Sequence, residues 1–151
     1  MSNRPDLVLY DRTGRLVAVV EVKAKRGTSR EWAARLRQTL LAHDEAFSRA
    51  PFFLLATPDR LYLWKAGAGD SSQEASLAMP QLELDAKPLF GPYLERSGLR
   101  LENVGGEAFE LVVMSWLGDL TRREASEPSR LDATGLPEAA REGRIADPIA
   151  A

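Results

Sequence analysis

Phe52-Phe53-Leu54-Leu55-Ala56 is an unbroken apolar run, bounded by Pro51 on one side and Thr57-Pro58 on the other. A run this short reads as a strand, and a strand that is apolar on both sides has to be covered on both sides, as in the middle of a helix-flanked sheet. That requirement sets the fold class as α/β, with a mixed central sheet between helices. The flanking sequence supplies the other parts. Pro5-Asp6-Leu7-Val8-Leu9-Tyr10 reads as a short strand, Asp11-Arg12-Thr13-Gly14 as a turn, and residues 15–23 as a longer β-branched strand, so the two strands form an antiparallel hairpin. Thr28 or Ser29 then serves as a helix N-cap with Glu31 in the first turn, and Trp32, Leu36, Leu40 and Phe47 keep helical spacing to about Ala50. Residues 57–60 make a turn and residues 61–65 the returning strand, which gives the order β-β-α-β-β.

Beyond residue 66 the pattern weakens. Residues 67–72 are a Gly/Ser-rich connector, residues 82–84 a short strand and residues 89–97 a short helix. Gly105-Gly106 introduces a stronger helix over 107–120, whose Phe109, Val112, Val113, Trp116, Leu117 and Leu120 form an apolar face that caps the sheet. From Arg122 the composition turns polar, with Pro128, Pro137 and Pro148. The expectation is therefore one domain over 1–121, with its chemistry-bearing core at 4–65, and a flexible C-terminal tail over 122–151. The start lacks the apolar core of a signal peptide and no apolar run is long enough to span a bilayer, which predicts a cytoplasmic chain with no membrane partner.

The available chemistry is narrow. With no cysteine and one histidine, His43, thiolate zinc sites, cysteine nucleophiles and histidine-centred proton relays drop out. Any metal must be held by carboxylate and carbonyl oxygens, which favours Mg²⁺, Mn²⁺ or Ca²⁺. Alternation in the second strand places Val19, Glu21, Lys23 and Lys25 on one face and Val20, Val22 and Ala24 on the other. Glu21 and Lys23 lie about 7 Å apart along the strand, and the hairpin carries Asp6 to the same end. Asp6 and Glu21 can then bind a hard divalent cation beside the Lys23 ammonium, a set able to activate water and offset the charge of a phosphodiester. The bland alternative is a solvated strand face with a cross-strand charge pair. Net charge is −2 overall, but residues 1–49 carry +4 and residues 50–151 carry −6. Lys25, Arg26 and Arg30, in the basic half, are candidate phosphate contacts, as sequence-independent nucleic-acid binding requires.

Pro5-Asp6 followed by Glu21-Val22-Lys23 resembles the signature of the PD-(D/E)XK nuclease superfamily. The stretch RPDLVLYDRTGRLVAVVEVKAK is similar to the nuclease core in the N-terminal region of type I restriction enzyme R subunits. The resemblance spans roughly residues 4–65. It implies a restriction-endonuclease-like fold, a Mg²⁺ or Mn²⁺ ion, and hydrolysis of DNA in a restriction or defence setting, with a homodimer or restriction-type subunit as partner. It also implies Asp6 and Glu21 as metal ligands, Lys23 as the catalytic lysine and, by likeness to the RecB-like branch, Gln38 as a further residue lining the site. In that branch a tyrosine commonly follows the glutamine by four residues, where this chain has Ala42. The family usually also carries a glutamate on a helix before the Pro-Asp strand, and the four residues before Pro5 contain none. An alternative therefore stays open: a catalytically degenerate module of the same fold that binds nucleic acid or assembles with protein.

Overall fold

The computed structural model describes residues 5–43, 47, 49–66, 78–122 and 130–146. In chain order its elements are β1 (Leu7–Tyr10), β2 (Leu16–Val22), α1 (Arg30–His43), β3 (Phe52–Ala56), β4 (Arg60–Lys65), β5 (Leu82–Asp85), α2 (Lys87–Arg96), α3 (Gly106–Thr121), a 3₁₀ turn (Asp132–Thr134), α4 (Leu136–Ala139) and β6 (Arg144–Ala146). The strands form one six-stranded sheet in the order β5-β4-β3-β2-β1-β6. Only β2 and β3 run parallel, joined through α1, and every other neighbouring pair is antiparallel. The fold is thus a mixed sheet flanked by helices.

The apolar run lies where its sequence requires. Every residue of β3 is buried, and its side chains divide between two layers. Phe52, Leu54 and Ala56 join Val20, Phe90, Phe109 and Leu117 under α2 and α3. Phe53 and Leu55 join Val19, Ala33 and Trp64 under α1. The larger layer is fixed by edge-on aromatic contacts of Phe90 with Phe109 and Trp116, at 5.4 and 5.5 Å between ring centroids.

Local chemistry accounts for the element boundaries. In the β1–β2 turn, Asp11 Oδ1 accepts from the Thr13 amide (2.8 Å), the Thr13 hydroxyl (2.6 Å) and the Arg15 amide (3.0 Å), and Gly14 takes a φ of +86°. The Thr13 hydroxyl bond is the main cause holding the Asp11 carboxyl below its ordinary value. Helix α1 opens with the Trp32 amide donating to Ser29 Oγ at 3.1 Å, which makes Ser29 the N-cap. Ser29→Ala should therefore lower unfolding stability by about 1 kcal/mol, read from the urea midpoint; an unchanged midpoint would mean the cap carries no weight. Helix α2 begins at Lys87, two residues before the sequence pattern suggests. Pro88 sits in its first turn, where a missing amide hydrogen costs nothing.

Two parts of the sequence-based picture need restating. The expected Gly/Ser connector, residues 67–72, and the continuation of α1 over 44–46 and 48 lie outside the described residues. The expectation of a flexible tail over 122–151 is corrected for residues 130–146. There, Leu131, Leu136 and Ala140 are buried in the larger layer, and β6 adds an antiparallel edge strand to β1, pairing Tyr10 with Arg144 and Val8 with Ala146. Polar composition hid this because three apolar side chains suffice to anchor the segment, and a three-residue strand has no periodicity to read.

The return to β6 depends on one glycine. A Cβ at Gly143 would lie 2.0 Å from the Tyr10 carbonyl oxygen and 2.9 Å from that of Ala140. The preceding residue, Glu142, has a φ of +59°, and its amide donates to the Thr121 carbonyl at 2.7 Å. Gly143→Ala should force β6 away from β1 and cost about 2 kcal/mol, in the range of overpacking substitutions. Hydrogen exchange would report it as lost protection at Tyr10 and Ala146. Full protection in the variant would contradict this role for Gly143.

Candidate active site

β1 and β2 pair with Leu7 opposite Val20, so one further step brings Asp6 opposite Glu21. The two acids are joined through backbone as well as side chain. The Val22 amide donates to Asp6 Oδ2 at 2.8 Å, and the Asp6 amide donates to Glu21 Oε1 at 3.2 Å. Lys23 follows directly, its own amide held by the Ala56 carbonyl at 3.0 Å. Its Nζ stands 3.6 Å from Glu21 Oε2. Strand alternation puts Glu21 on the layer of Val19, beneath α1, and Val20 on the opposite layer.

Depth separates the three groups. Glu21 is 4% exposed, Asp6 is half-buried, and the Lys23 side chain is 42% exposed. A solvated strand face is therefore excluded for Glu21. Burial is the largest cause raising the Glu21 carboxyl to about 7; the Asp6 charge and a hydrogen bond with the Asp6 side chain push the same way, and the Lys23 ammonium opposes them. A buried acid beside a second acid is a place where a cation is favoured. Among the described residues no group of three His, Cys, Asp or Glu side chains is gathered for a metal. The protein offers two carboxylates. That suits a Mg²⁺-like ion, which is commonly held by one or two carboxylates and fills its remaining positions with water and phosphate oxygens.

The other candidates fall in different places. Gln38 is half-buried on α1, about 12 Å along the helix from Arg30, and no hydrogen bond joins it to Asp6, Glu21 or Lys23. Lys25 places its Nζ 5.2 Å from the centroid of the Trp32 ring. Arg26 turns toward the α2–α3 connection, with Nε donating to the Leu101 carbonyl at 2.6 Å and Nη2 to that of Val104 at 3.1 Å. Arg30 donates to the Pro80 carbonyl at 3.2 Å and lies 3.8 Å from Glu83. These three cations are close in sequence and exposed, yet Arg26 and Arg30 are each tied to other parts of the chain and diverge. The second Pro-Asp, Pro58-Asp59, is a turn: Asp59 Oδ1 accepts from the Thr57 hydroxyl at 3.1 Å and Oδ2 from the Gly27 amide at 3.0 Å. Asp59 thereby steadies the loop that follows Lys23, as does Thr28, whose hydroxyl is 2.8 Å from that of Tyr62. Asp85-Ala86-Lys87 repeats the acid-any-lysine spacing of Glu21-Val22-Lys23, but there Asp85 accepts from the Lys87 amide at the start of α2.

Arg26, Asp59 and Thr28 support the segment after Lys23 without having been singled out for that task. Local sequence marks Asp59 only as a turn residue, and the partners of Arg26 lie 75 and 78 positions away. No family model, no curated protein and no solved structure matches this chain.

Proposed function

We propose that the chain is a divalent-metal-dependent nuclease with a restriction-endonuclease-like core, hydrolysing phosphodiester bonds of DNA. The observation that carries this reading is the convergence of Asp6, Glu21 and Lys23 at one end of the β1–β2 pair, with the glutamate buried and the lysine reaching solvent. Hydrolysis forms a bond from a water oxygen to phosphorus and breaks the bond to the leaving sugar oxygen. The water gives up a proton and the leaving oxygen takes one. Asp6 and Glu21 would hold Mg²⁺ or Mn²⁺, which supplies a more acidic water and neutralises phosphate charge.

This chain's own residues do the rest. The Val22 amide holds the Asp6 carboxylate and the Asp6 amide holds Glu21, so the two acids stand side by side before a cation arrives. Lys23, adjacent to Glu21 and partly exposed, is able to orient the attacking water and to stabilise negative charge gathering on the phosphate oxygens. Lys25, exposed in the loop between β2 and α1, is the basic residue of this stretch best suited to meet a DNA phosphate.

The test is conversion of supercoiled plasmid to nicked and linear forms by the purified chain in Mg²⁺ or Mn²⁺. The proposal expects cleavage that stops with chelator and in Asp6→Ala. Metal-independent cleavage, or cleavage that survives Asp6→Ala, would contradict it. A chain that binds DNA with a steep salt dependence but does not cut would instead be the degenerate module of the same fold.

A further inference from the structure

Helix α3 buries one side against the sheet and turns another to solvent. Phe109, Val113, Trp116 and Leu120 enter the larger layer, while Glu107, Leu111, Ser115 and Arg122 are exposed, at the three- and four-residue spacings that share one helix face. Half-buried Met114 and Gly118 fall on the same face. Leu111 is 62% exposed, the most open large apolar side chain among the described residues. It lines a groove of about 830 Å³ together with Ala108, Met114, Ser115, Gly118 and Arg122.

This stripe is its own complement. A two-fold axis perpendicular to the helix, passing between Met114 and Ser115, lays α3 antiparallel on the α3 of a second copy. It sets Leu111 against Gly118, Met114 against Ser115 and Glu107 against Arg122, each contact made twice, as an isologous interface requires. The small residues Ala108, Ser115 and Gly118 let the two helices approach to about 8 Å. Ser115 brings no unmet donor to the contact, because its hydroxyl donates to the Leu111 carbonyl at 3.0 Å.

Charge fits the same axis. At the N-terminal end Glu107 is exposed and makes no ion pair among the described residues. At the C-terminal end Arg96 and Arg122 face one acid, Asp119, which accepts from the Tyr93 hydroxyl and, at 2.7 Å, from Arg122 Nη2. The Arg122 side chain is 70% exposed, and its guanidinium lies across Gly118, with Nη1 3.4 Å from where a Cβ would stand. Leu111 of the second copy displaces that guanidinium from the Gly118 notch. Arg122 then exchanges Asp119 for Glu107 of the second copy, and Asp119 keeps the Tyr93 hydroxyl.

We propose that the outer face of α3 is the interface of a symmetric homodimer, with Leu111 as its central anchor and Glu107 and Arg122 as the charges that set the antiparallel register. The face lies on the side of the sheet away from Glu21, so this association does not depend on the chain being a nuclease.

Sedimentation velocity over a concentration series tests it, with circular dichroism confirming that each variant is folded. Wild type should show a monomer–dimer equilibrium with a Kd on the order of 10 µM. Leu111→Lys should raise that Kd at least about thirtyfold, as loss of a central anchor does. Glu107→Arg and Arg122→Glu each bring like charges together and should each weaken association about tenfold. The double variant, which exchanges the two charges, should regain most of the loss. A wild-type chain that stays monomeric to about 500 µM, a dimer indifferent to Leu111→Lys, or a double variant no tighter than the single ones would overturn the proposal.

Discussion

If the chain is the nuclease proposed above, Lys23→Ala should lower the rate of DNA cleavage at least about a hundredfold, the scale found when one group that stabilises transition-state charge is removed, while the chain stays folded. The structure explains why the two readouts should part. Lys23 is held in the sheet by its amide, which donates to the Ala56 carbonyl and survives the substitution, and its side chain is 42% exposed. Its ammonium meets the Glu21 carboxyl at 3.6 Å; without it that buried carboxyl holds its proton to higher pH instead of standing as an unpaired charge. The loss should therefore fall on turnover, with DNA affinity changing far less. Cleavage of wild-type rate by folded Lys23→Ala would remove the lysine from the mechanism.

Glu21→Gln should do the reverse for the metal-free protein and stabilise it. Folding raises the Glu21 carboxyl from 4.5 to about 7, so between those values the folded chain keeps a proton that the unfolded chain has released. Stability then falls as pH rises through this window and levels off above it. The accumulated cost at pH 8 is about 3 kcal/mol, and glutamine, which cannot ionise, is spared it. Urea unfolding in chelator should show wild type and variant converging near pH 4.5 and separating by pH 8. Added Mg²⁺ should narrow the gap by stabilising wild type alone, since a cation bound to the folded state is linked to its stability. A gap that does not change with pH would mean that Glu21 is not carrying a buried charge. The same substitution should abolish cleavage, as expected of a site that keeps an unfavourable charge for the sake of its chemistry.

The part of the fold that local patterns specify is the part the sequence makes legible. β1 to β4 and α1 follow from alternation, the Asp11–Gly14 turn, the Ser29 cap and the two-sided apolar run of β3, each decided within a few residues. β6 leaves no mark in the local sequence because its place depends on contacts distant in sequence: Gly143 against the Tyr10 carbonyl, and Leu131 and Leu136 entering a core made by residues far upstream. The candidate site divides in the same way. Hairpin geometry is enough to bring Asp6 to Glu21. The burial of Glu21 needs α1 folded over its layer, and the destinations of Arg26 and Arg30 need the α2–α3 connection and the segment before β5. Three adjacent basic residues look like one patch in sequence. In the structure, carbonyl groups from other parts of the chain draw two of them apart.

The central claim is that Asp6 and Glu21 form a divalent cation site, and calorimetric titration of Mn²⁺ or Mg²⁺ into the purified chain tests it most directly. Wild type should bind one ion saturably, with binding lost in both Asp6→Ala and Glu21→Ala while circular dichroism shows each variant folded. No saturable binding to folded wild type at millimolar metal, or binding retained in both variants, would contradict the account.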